Sequence, residues 1–371
     1  MRAGLMMFLA VSTAFAQQPA KWRLVEEWRV GGEVEGPHSL VDIRGMGVLP
    51  TGQIVIVDAK DQLVHFLDAK GQPVRTVGRK GAGPGEYQQA NGLAVSQKGE
   101  VIVNDASNNR FTLLSSSGDL LKTIPITNIW GYGYLWDAYY NATGLLDEYV
   151  SIRKPGEVSS IQARRVWSAD FSKIDTILPA ECPAQAAPAL EEMVYSFRSA
   201  RGGMTMSVPY LQPRMPLARS ADGATWIGRY PDYGTIVHTP FGKCEPDFTI
   251  RLRGQRVRIR STTRDSSVAE VTRNAARYGA PTPDLGKIPR EYPYYDALRI
   301  DAAKRLWVER RTESDGRRFE VYTSTGRLVA EVESPVTFMG YRPLIIANDR
   351  VLGFVADADD ILHLASFRIV R

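Results

Sequence analysis

Apolar residues along this chain come in short runs of strand length, rich in Val, Ile, Leu, Tyr and Trp, and Gly, Pro, Asp and Asn punctuate them. Apolar positions at helical spacing are scarce, so the pattern predicts an all-β fold. Two stretches align without a gap. Residues 45–77 read GMGVLPTGQIVIVDAKDQLVHFLDAKGQPVRTV and residues 92–124 read GLAVSQKGEVIVNDASNNRFTLLSSSGDLLKTI; Gly52, Asp58 and Gly71 match Gly99, Asp105 and Gly118 at a constant spacing of 47. A fixed period of this size marks an array of like units. Each unit holds four apolar runs, in the first at 46–49, 53–57, 63–67 and 73–77. Pro50-Thr51-Gly52 and Asp68-Ala69-Lys70-Gly71 supply turns between them, where glycine accepts positive φ. Four antiparallel strands joined by hairpins make one blade of a β-propeller.

The unit returns in a more worn form. Residues 217–223 lead into Thr225-Trp226-Ile227, and 297–301 lead into Leu306-Trp307-Val308, with 319–322 and 325–328 completing that unit. Residues 137–179 fit one divergent blade, with strands at 148–153, 163–169 and 173–178. A last unit, 341–371, has runs at 344–347, 351–355 and 361–369 and lacks an outer strand. The run Trp22–Val30 precedes the first unit and has no partner there, so it is expected to complete the last blade. The expected fold is therefore a six-bladed β-propeller closed by an N-terminal strand. Its blades lie at about 39–78, 91–126, 137–179, 210–253, 295–334, and 341–371 plus 22–30. Closure removes the unpaired N–H and C=O groups of an open edge, whereas a linear array would need a polar cap at each end.

Residues 78–121 resemble an NHL repeat. Gly78, Gly81, Gly83 and Gly85 with Glu86-Tyr87 are similar to that family's inter-blade linker, and Asp105, Asn109 and Arg110 match its recurring Asp, Asn and Arg after the second strand. Residues 45–77 match well, and later blades match in apolar pattern alone. The ending from Asn348-Asp349-Arg350-Val351-Leu352-Gly353 resembles exported six-bladed propellers of bacteria. The resemblance implies a fold and leaves function open.

Composition changes the picture at the N-terminus. Arg2, an uncharged apolar stretch and Ala14-Phe15-Ala16 form the pattern of a cleavable signal peptide over 1–16, too short for a membrane span. No later stretch is apolar for long enough to cross a bilayer. The expected location is periplasmic or secreted, and the expected state a monomer. The net charge of +5 is too small to imply nucleic acid, and export argues against that partner. The two cysteines, Cys182 and Cys244, either pair in an oxidising compartment or stay free and buried.

Every long connection joins an outer strand to the next inner strand: 78–91, 127–136, 180–215 and 254–295. All of them should emerge on one face, around the mouth of the central channel, where function usually lies on a rigid scaffold. Trp130, Tyr132 and Tyr134 alternate with glycines in one of them, followed by Trp136, Tyr139 and Tyr140. Exposed rings there would stack on a ligand; the alternative is that they pack inward. Arg251, Arg253, Arg256, Arg258, Arg260 and Arg264 form a basic run, read as a solvated outer strand or as a stripe for an acidic partner. Residues 266–278 have helical character, with Ser266 or Ser267 as cap and Val268, Val271 and Ala275 on one side. The register also places Arg44, Asn91, Met215, Asp296 and Tyr341 where inner strands begin. Arg44, Asn91, Asp296 and Tyr341 offer polar groups for a small ligand or a cation, or hydrogen bonds that hold the blades in register.

Related propellers include metal-dependent lyases and lactonases, whose sites need converging His or carboxylate ligands. Of four histidines, His65, His238 and His363 fall on third strands, away from the axis, and His38 lies near the channel mouth. No motif of a Ser hydrolase, zinc protease or phosphate loop occurs. No cofactor is expected; a calcium ion at Asp296 and its neighbours is the one left open. The sequence thus reads as an exported, non-enzymatic binding module that takes a peptide, protein or glycan on its long-loop face. The alternative is a metal-assisted lyase or lactonase with a site in the central channel.

Overall fold

The apolar runs form strands because their β-branched and aromatic side chains fill the faces of short twisted sheets, which are covered at the inner strands and exposed at the outer ones. The computed structural model describes residues 18–33, 39–126, 136–153, 160–179, 195–198, 204–207, 212–279, 283–314 and 316–371. β1 (Ala20–Gly31) comes first. Blade one is β2 (Ile43–Val48), β3 (Ile54–Asp58), β4 (Leu63–Leu67) and β5 (Pro73–Val77). Blade two is β6 (Ala90–Val95), β7 (Val101–Asp105), β8 (Arg110–Leu114) and β9 (Leu120–Pro125). Blade three is β10 (Asp137–Tyr140), β11 (Leu146–Arg153), β12 (Ser160–Trp167) and β13 (Ile174–Ile177). A separate hairpin follows, β14 (Tyr195–Arg198) and β15 (Met204–Ser207). Blade four is β16 (Leu217–Arg219), β17 (Thr225–Gly228), β18 (Thr235–Thr239) and β19 (Phe248–Arg251), and helix α1 (Ser261–Arg277) comes next. Blade five is β20 (Ala297–Ile300), β21 (Leu306–Arg311), β22 (Arg317–Tyr322) and β23 (Leu328–Ser334). Blade six has three strands of its own, β24 (Leu344–Ala347), β25 (Arg350–Ala356) and β26 (Leu362–Val370). Within each blade the strands pair in chain order.

β1 supplies the fourth strand of blade six, as the unpartnered N-terminal run predicted. It lies antiparallel to β26 from Arg23↔Val370 to Gly31↔His363, with an irregularity between Glu26 and Trp28. Its first residues also pair in parallel with β23, from Ala20↔Ala330 to Arg23↔Glu333. Closure therefore fuses blades five and six into one eight-stranded sheet, a join that the apolar pattern did not indicate.

Wedges of apolar side chains fill the spaces between neighbouring blades. Val55, Val57 and Phe66 meet Leu93, Val101 and Val103 between blades one and two. Trp226, Ile236 and Ile250 meet Leu298, Leu306 and Val308 between blades four and five. Leu24 of β1 joins Trp307, Phe319, Val332 and Phe367, while Trp28 and Val30 pack against the cluster of Ile56, Leu67 and Phe354. Blades three and four meet differently. Arg219 pairs with Asp137 and its guanidinium lies 4.3 Å over the Tyr149 ring, while Arg164, held by Asp147 within blade three, lies 5.9 Å over Phe241.

The aligned aspartates do the same work in both repeats. Buried Asp58 accepts from the backbone N–H of Val41, Asp42 and Lys60, and buried Asp105 from those of Gln88 and Gln89. Arg110 donates to the carbonyls of Ala82, Gly83 and Glu86, so the glycine-rich lead is strapped onto blade two.

The turn glycine of blade one is required twice over. Gly71 has φ +78, and a Cβ there would lie 2.7 Å from Trp28 Cζ3 and 3.0 Å from Val30 Cγ2. Gly71→Ala is expected to cost about 2–4 kcal/mol, from left-handed strain plus overpacking, measured by urea unfolding. A loss under about 1 kcal/mol would mean that β1 does not press on blade one in solution.

All the long connections do leave an outer strand and lead to the next inner strand, so their ends lie on one face. Two expectations on that face need correction. The connection before blade four is not all loop but contains the β14–β15 hairpin. Helix α1 starts at Ser261 with Arg260 at its N-cap, not at Ser266 or Ser267. The hydroxyls of Ser266 and Ser267 instead donate back to the carbonyls of Thr262 and Thr263, the interior use of serine that competes with capping. Val271 and Ala275 are buried and Val268 partly so, the side the spacing predicted.

Candidate functional site

The connections before and after blade four build a small layer of their own on the long-connection face. Tyr195 of β14 packs with Val271 and Ala275 of α1 and with Ile259, Ile288 and Tyr292. Residues 257–259 run antiparallel to 290–292, with Ile259 N–H donating to Arg290 O at 2.9 Å and Tyr292 N–H to Val257 O at 2.9 Å. This layer frames a cleft of about 730 Å³ lined by Arg256, Arg258, Arg264 and Arg290 together with Asp265 and Glu291. Arg256 pairs with Glu291 at 2.5 Å. Arg258 and Arg290 are exposed, and neither is in an ion pair among the described residues. The basic run is therefore not an outer-strand stripe. β19 ends at Arg251, and Arg256, Arg258 and Arg264 belong to the cleft beyond it.

A second charged group sits where the inner strand of blade five begins. Met215 N–H donates to Asp296 O and Leu298 N–H to Met215 O, which ties the lead of blade four to β20 and brings Arg214 beside Asp296. Arg214 reaches Glu309 at 3.0 Å and Asp296 at 3.9 Å. Arg311 holds Asp296 at 2.9 Å, and Arg317 lies 3.4 Å from Asp296 and 3.5 Å from Glu309. Arg299 turns its guanidinium to the carbonyls of Gly340 and Met339 at 3.3 and 3.5 Å. Asp296, Glu309, Arg299 and Arg317 are buried, and the side chains of Arg214 and Arg311 are about a quarter exposed, at 25% and 22%. Burial, opposed by Arg214 and Arg299, raises the Glu309 pKa. Burial likewise pushes the Arg299 guanidinium down to about 10, against the attraction of Glu309.

The residues singled out from sequence fare differently. Arg44 pairs with Asp42 at 3.0 Å, and Asp42 also takes Arg342 at 2.8 Å, which links the leads of blades one and six. Asn91 is buried in β6, and its carbonyl accepts from Trp136 N–H at 3.1 Å. Asp296 is surrounded by arginines. Tyr341 stands 72% exposed beside the Met339–Gly340 carbonyls. Each of Arg44, Asn91 and Asp296 thus has partners of its own. Trp130, Tyr132 and Tyr134 lie outside the described residues, as do His38 and Cys182. The rings that follow them pack inward. Trp136 lies 5.0 Å from Phe111 and donates to Glu148, and Tyr139 stacks near Tyr149.

Register alone had not suggested Arg214, Arg299, Glu309, Arg311 or Arg317. One signal was present: Glu309 and Arg310 occupy the places of Val57 and Asp58, so blade five carries charge where blade one carries valine and a capping aspartate.

His65, His238 and His363 do sit on third strands, beside Thr76, Asp247 and Asp357. Among the described residues no three His, Cys, Asp or Glu side chains gather as a metal site. Among them no helix is long and apolar enough to cross a membrane. Cys244 is disulfide-bonded.

A family model, DUF5128, a 6-bladed beta-propeller, matches residues 42–126, the first two blades. None of the curated proteins matches the sequence. Among solved structures, a protein of Bacteroides fragilis NCTC 9343 described as exported is 12% identical, with a TM-score of 0.50 over 94% of this chain and 96% of that one. Virginiamycin B lyase from Staphylococcus aureus is 13% identical, with a TM-score of 0.45 over 94% of this chain and 100% of that one. A gluconolactonase from Xanthomonas campestris is 13% identical, with a TM-score of 0.41 over 96% of this chain and 99% of that one. The first likeness is one of fold, and the other two scores are too low to bear on chemistry.

Proposed function

We propose that this chain is an exported, non-enzymatic binding module that takes a peptide, protein or glycan on its long-connection face. The observation that carries the reading is the added layer of α1 and the segments 256–259 and 289–291, which frames an arginine-lined cleft on that face. Exposed Tyr341 adds a ring of the kind that anchors interfaces. The uncompensated arginines favour a ligand that carries negative charge. Export rests on the signal-peptide pattern of residues 1–16, in keeping with the B. fragilis protein of similar fold being described as exported. We also assign blades one and two to the NHL kind, on the shared roles of Asp105 and Arg110 in fastening the glycine-rich lead. Metal-assisted lyase or lactonase chemistry is the weaker reading, because Asp296, the carboxylate expected to hold calcium, faces arginine side chains.

The test is affinity capture from the envelope fraction with the mature protein and two variants. One carries Arg258→Ser and Arg290→Ser, and the other replaces Trp130, Tyr132 and Tyr134 by alanine. The same partner should be retained by the parent and lost from both variants, with melting unchanged. Equal retention by all three would remove the proposal.

A further inference from the structure

We propose that the blade-five group is an oxyanion site, in which Arg214, Arg299 and Arg311 take a carboxylate or phosphate group at the channel mouth. Arginine keeps its charge in a protein, so a buried excess of guanidinium must be matched by negative charge. Two carboxylates, Asp296 and Glu309, pair here with three arginines, Arg214, Arg311 and Arg317, and a fourth, Arg299, is in no ion pair among the described residues. Arg299 is 8% exposed, its Nε–H has no acceptor, and its terminal nitrogen reaches only two main-chain carbonyls at 3.3 and 3.5 Å. The buried Nε–H of Arg214 also has no acceptor. Arg311 is stacked 4.0 Å over the Tyr292 ring and gives Asp296 its Nε, which leaves its terminal nitrogens without a described partner.

The group is reachable as well as short of negative charge among the described residues. Arg214 and Arg311 keep about a quarter of their side chains in solvent, and Tyr341 stands exposed next to the carbonyls that Arg299 contacts. Carboxylate and phosphate groups present paired oxygens that match the guanidinium fork. A cation is disfavoured, because guanidinium groups lie within 4 Å of both carboxylates, although one buried oxygen of each, Asp296 Oδ2 and Glu309 Oε2, has no hydrogen-bond partner. Acidic side chains of a bound peptide, uronic acids and phosphate esters share this chemistry.

The proposal rests on reading this face as the binding face, yet its probes are small anions, so it stands or falls apart from partner capture. Inorganic phosphate and succinate are titrated into the mature protein at constant ionic strength, by calorimetry and thermal shift. One of them should bind saturably, and which one distinguishes the two sources. Arg214→Gln and Arg311→Gln should each weaken binding about tenfold or more, the loss expected for a hydrogen bond to a charged group. Glu309→Gln removes a competing negative charge and should tighten binding. If neither anion saturates, if the arginine variants bind as the parent does, or if Glu309→Gln weakens binding as they do, the site is refuted. Saturable anion binding alongside failed capture would retire the proposed partner and keep this site.

Discussion

Chains that begin at Gly32 and so lack β1 are expected to lose the cooperative unfolding transition of the whole ring, not the stability of one blade. β1 buries Leu24, partly buries Trp22, Trp28 and Val30, and covers the edges of both β26 and β23. At roughly 1–3 kcal/mol per side chain these contacts alone approach 5 kcal/mol, comparable with the whole stability of a typical domain at about 5–15 kcal/mol. Lys21–Glu331 and Arg350–Glu27 add ion pairs across the same two edges, each exposed enough to contribute little. Near-ultraviolet circular dichroism during thermal melting reads the outcome. A peptide of residues 18–33 added in trans should restore part of the transition. A truncated chain that melts as the parent does would show that the ring closes without β1.

Asp105→Ala is expected to destabilise by about 3–5 kcal/mol. The carboxylate is fully buried and accepts from Gln88 N–H at 3.1 Å, Gln89 N–H at 3.0 Å and the Asn108 amide at 2.6 Å, with Arg110 at 3.5 Å. Alanine leaves those donors buried without an acceptor and loosens the arginine that straps residues 82–86 to the blade. Asp105→Asn keeps one acceptor oxygen and should lose about half as much. Urea unfolding with unchanged m-value gives both numbers. Losses within about 0.5 kcal/mol of zero would mean that water replaces the carboxylate there.

The same aspartate explains why the first two blades were readable. Gly52, Asp58 and Gly71 recur in blade two because each meets a local demand, a left-handed turn or a set of backbone donors, that any blade of this shape repeats. Blades four and five kept the apolar alternation and dropped some of those markers; Arg310 stands where an aspartate would cap. The β14–β15 hairpin has no signal of its own, because four-residue strands inside a long connection look like loop in sequence. Ser266 and Ser267 misled about the start of the helix because their hydroxyls serve equally well as caps and as donors to the preceding turn. The charged group of blade five was half visible. Register found Asp296, and Glu309 lies on the paired strand beside it, but Arg214 and Arg317 arrive from two other segments to within 4 Å of it. Their presence is why the proposed ligand there is an anion.

The closing strand also imposes an order in time. β1 is synthesised long before its antiparallel partner β26, since Arg23 pairs with Val370. Until then Trp22, Leu24, Trp28 and Val30 stand on an unpaired edge, the kind of strand that invites mispairing. The parallel contact with β23 offers a remedy. β23 is complete before blade six exists, so Ala20–Arg23 has an earlier berth at Ala330–Glu333. Docking there would shorten the loop still to be closed when β26 emerges, and so lower the entropic barrier to sealing the ring.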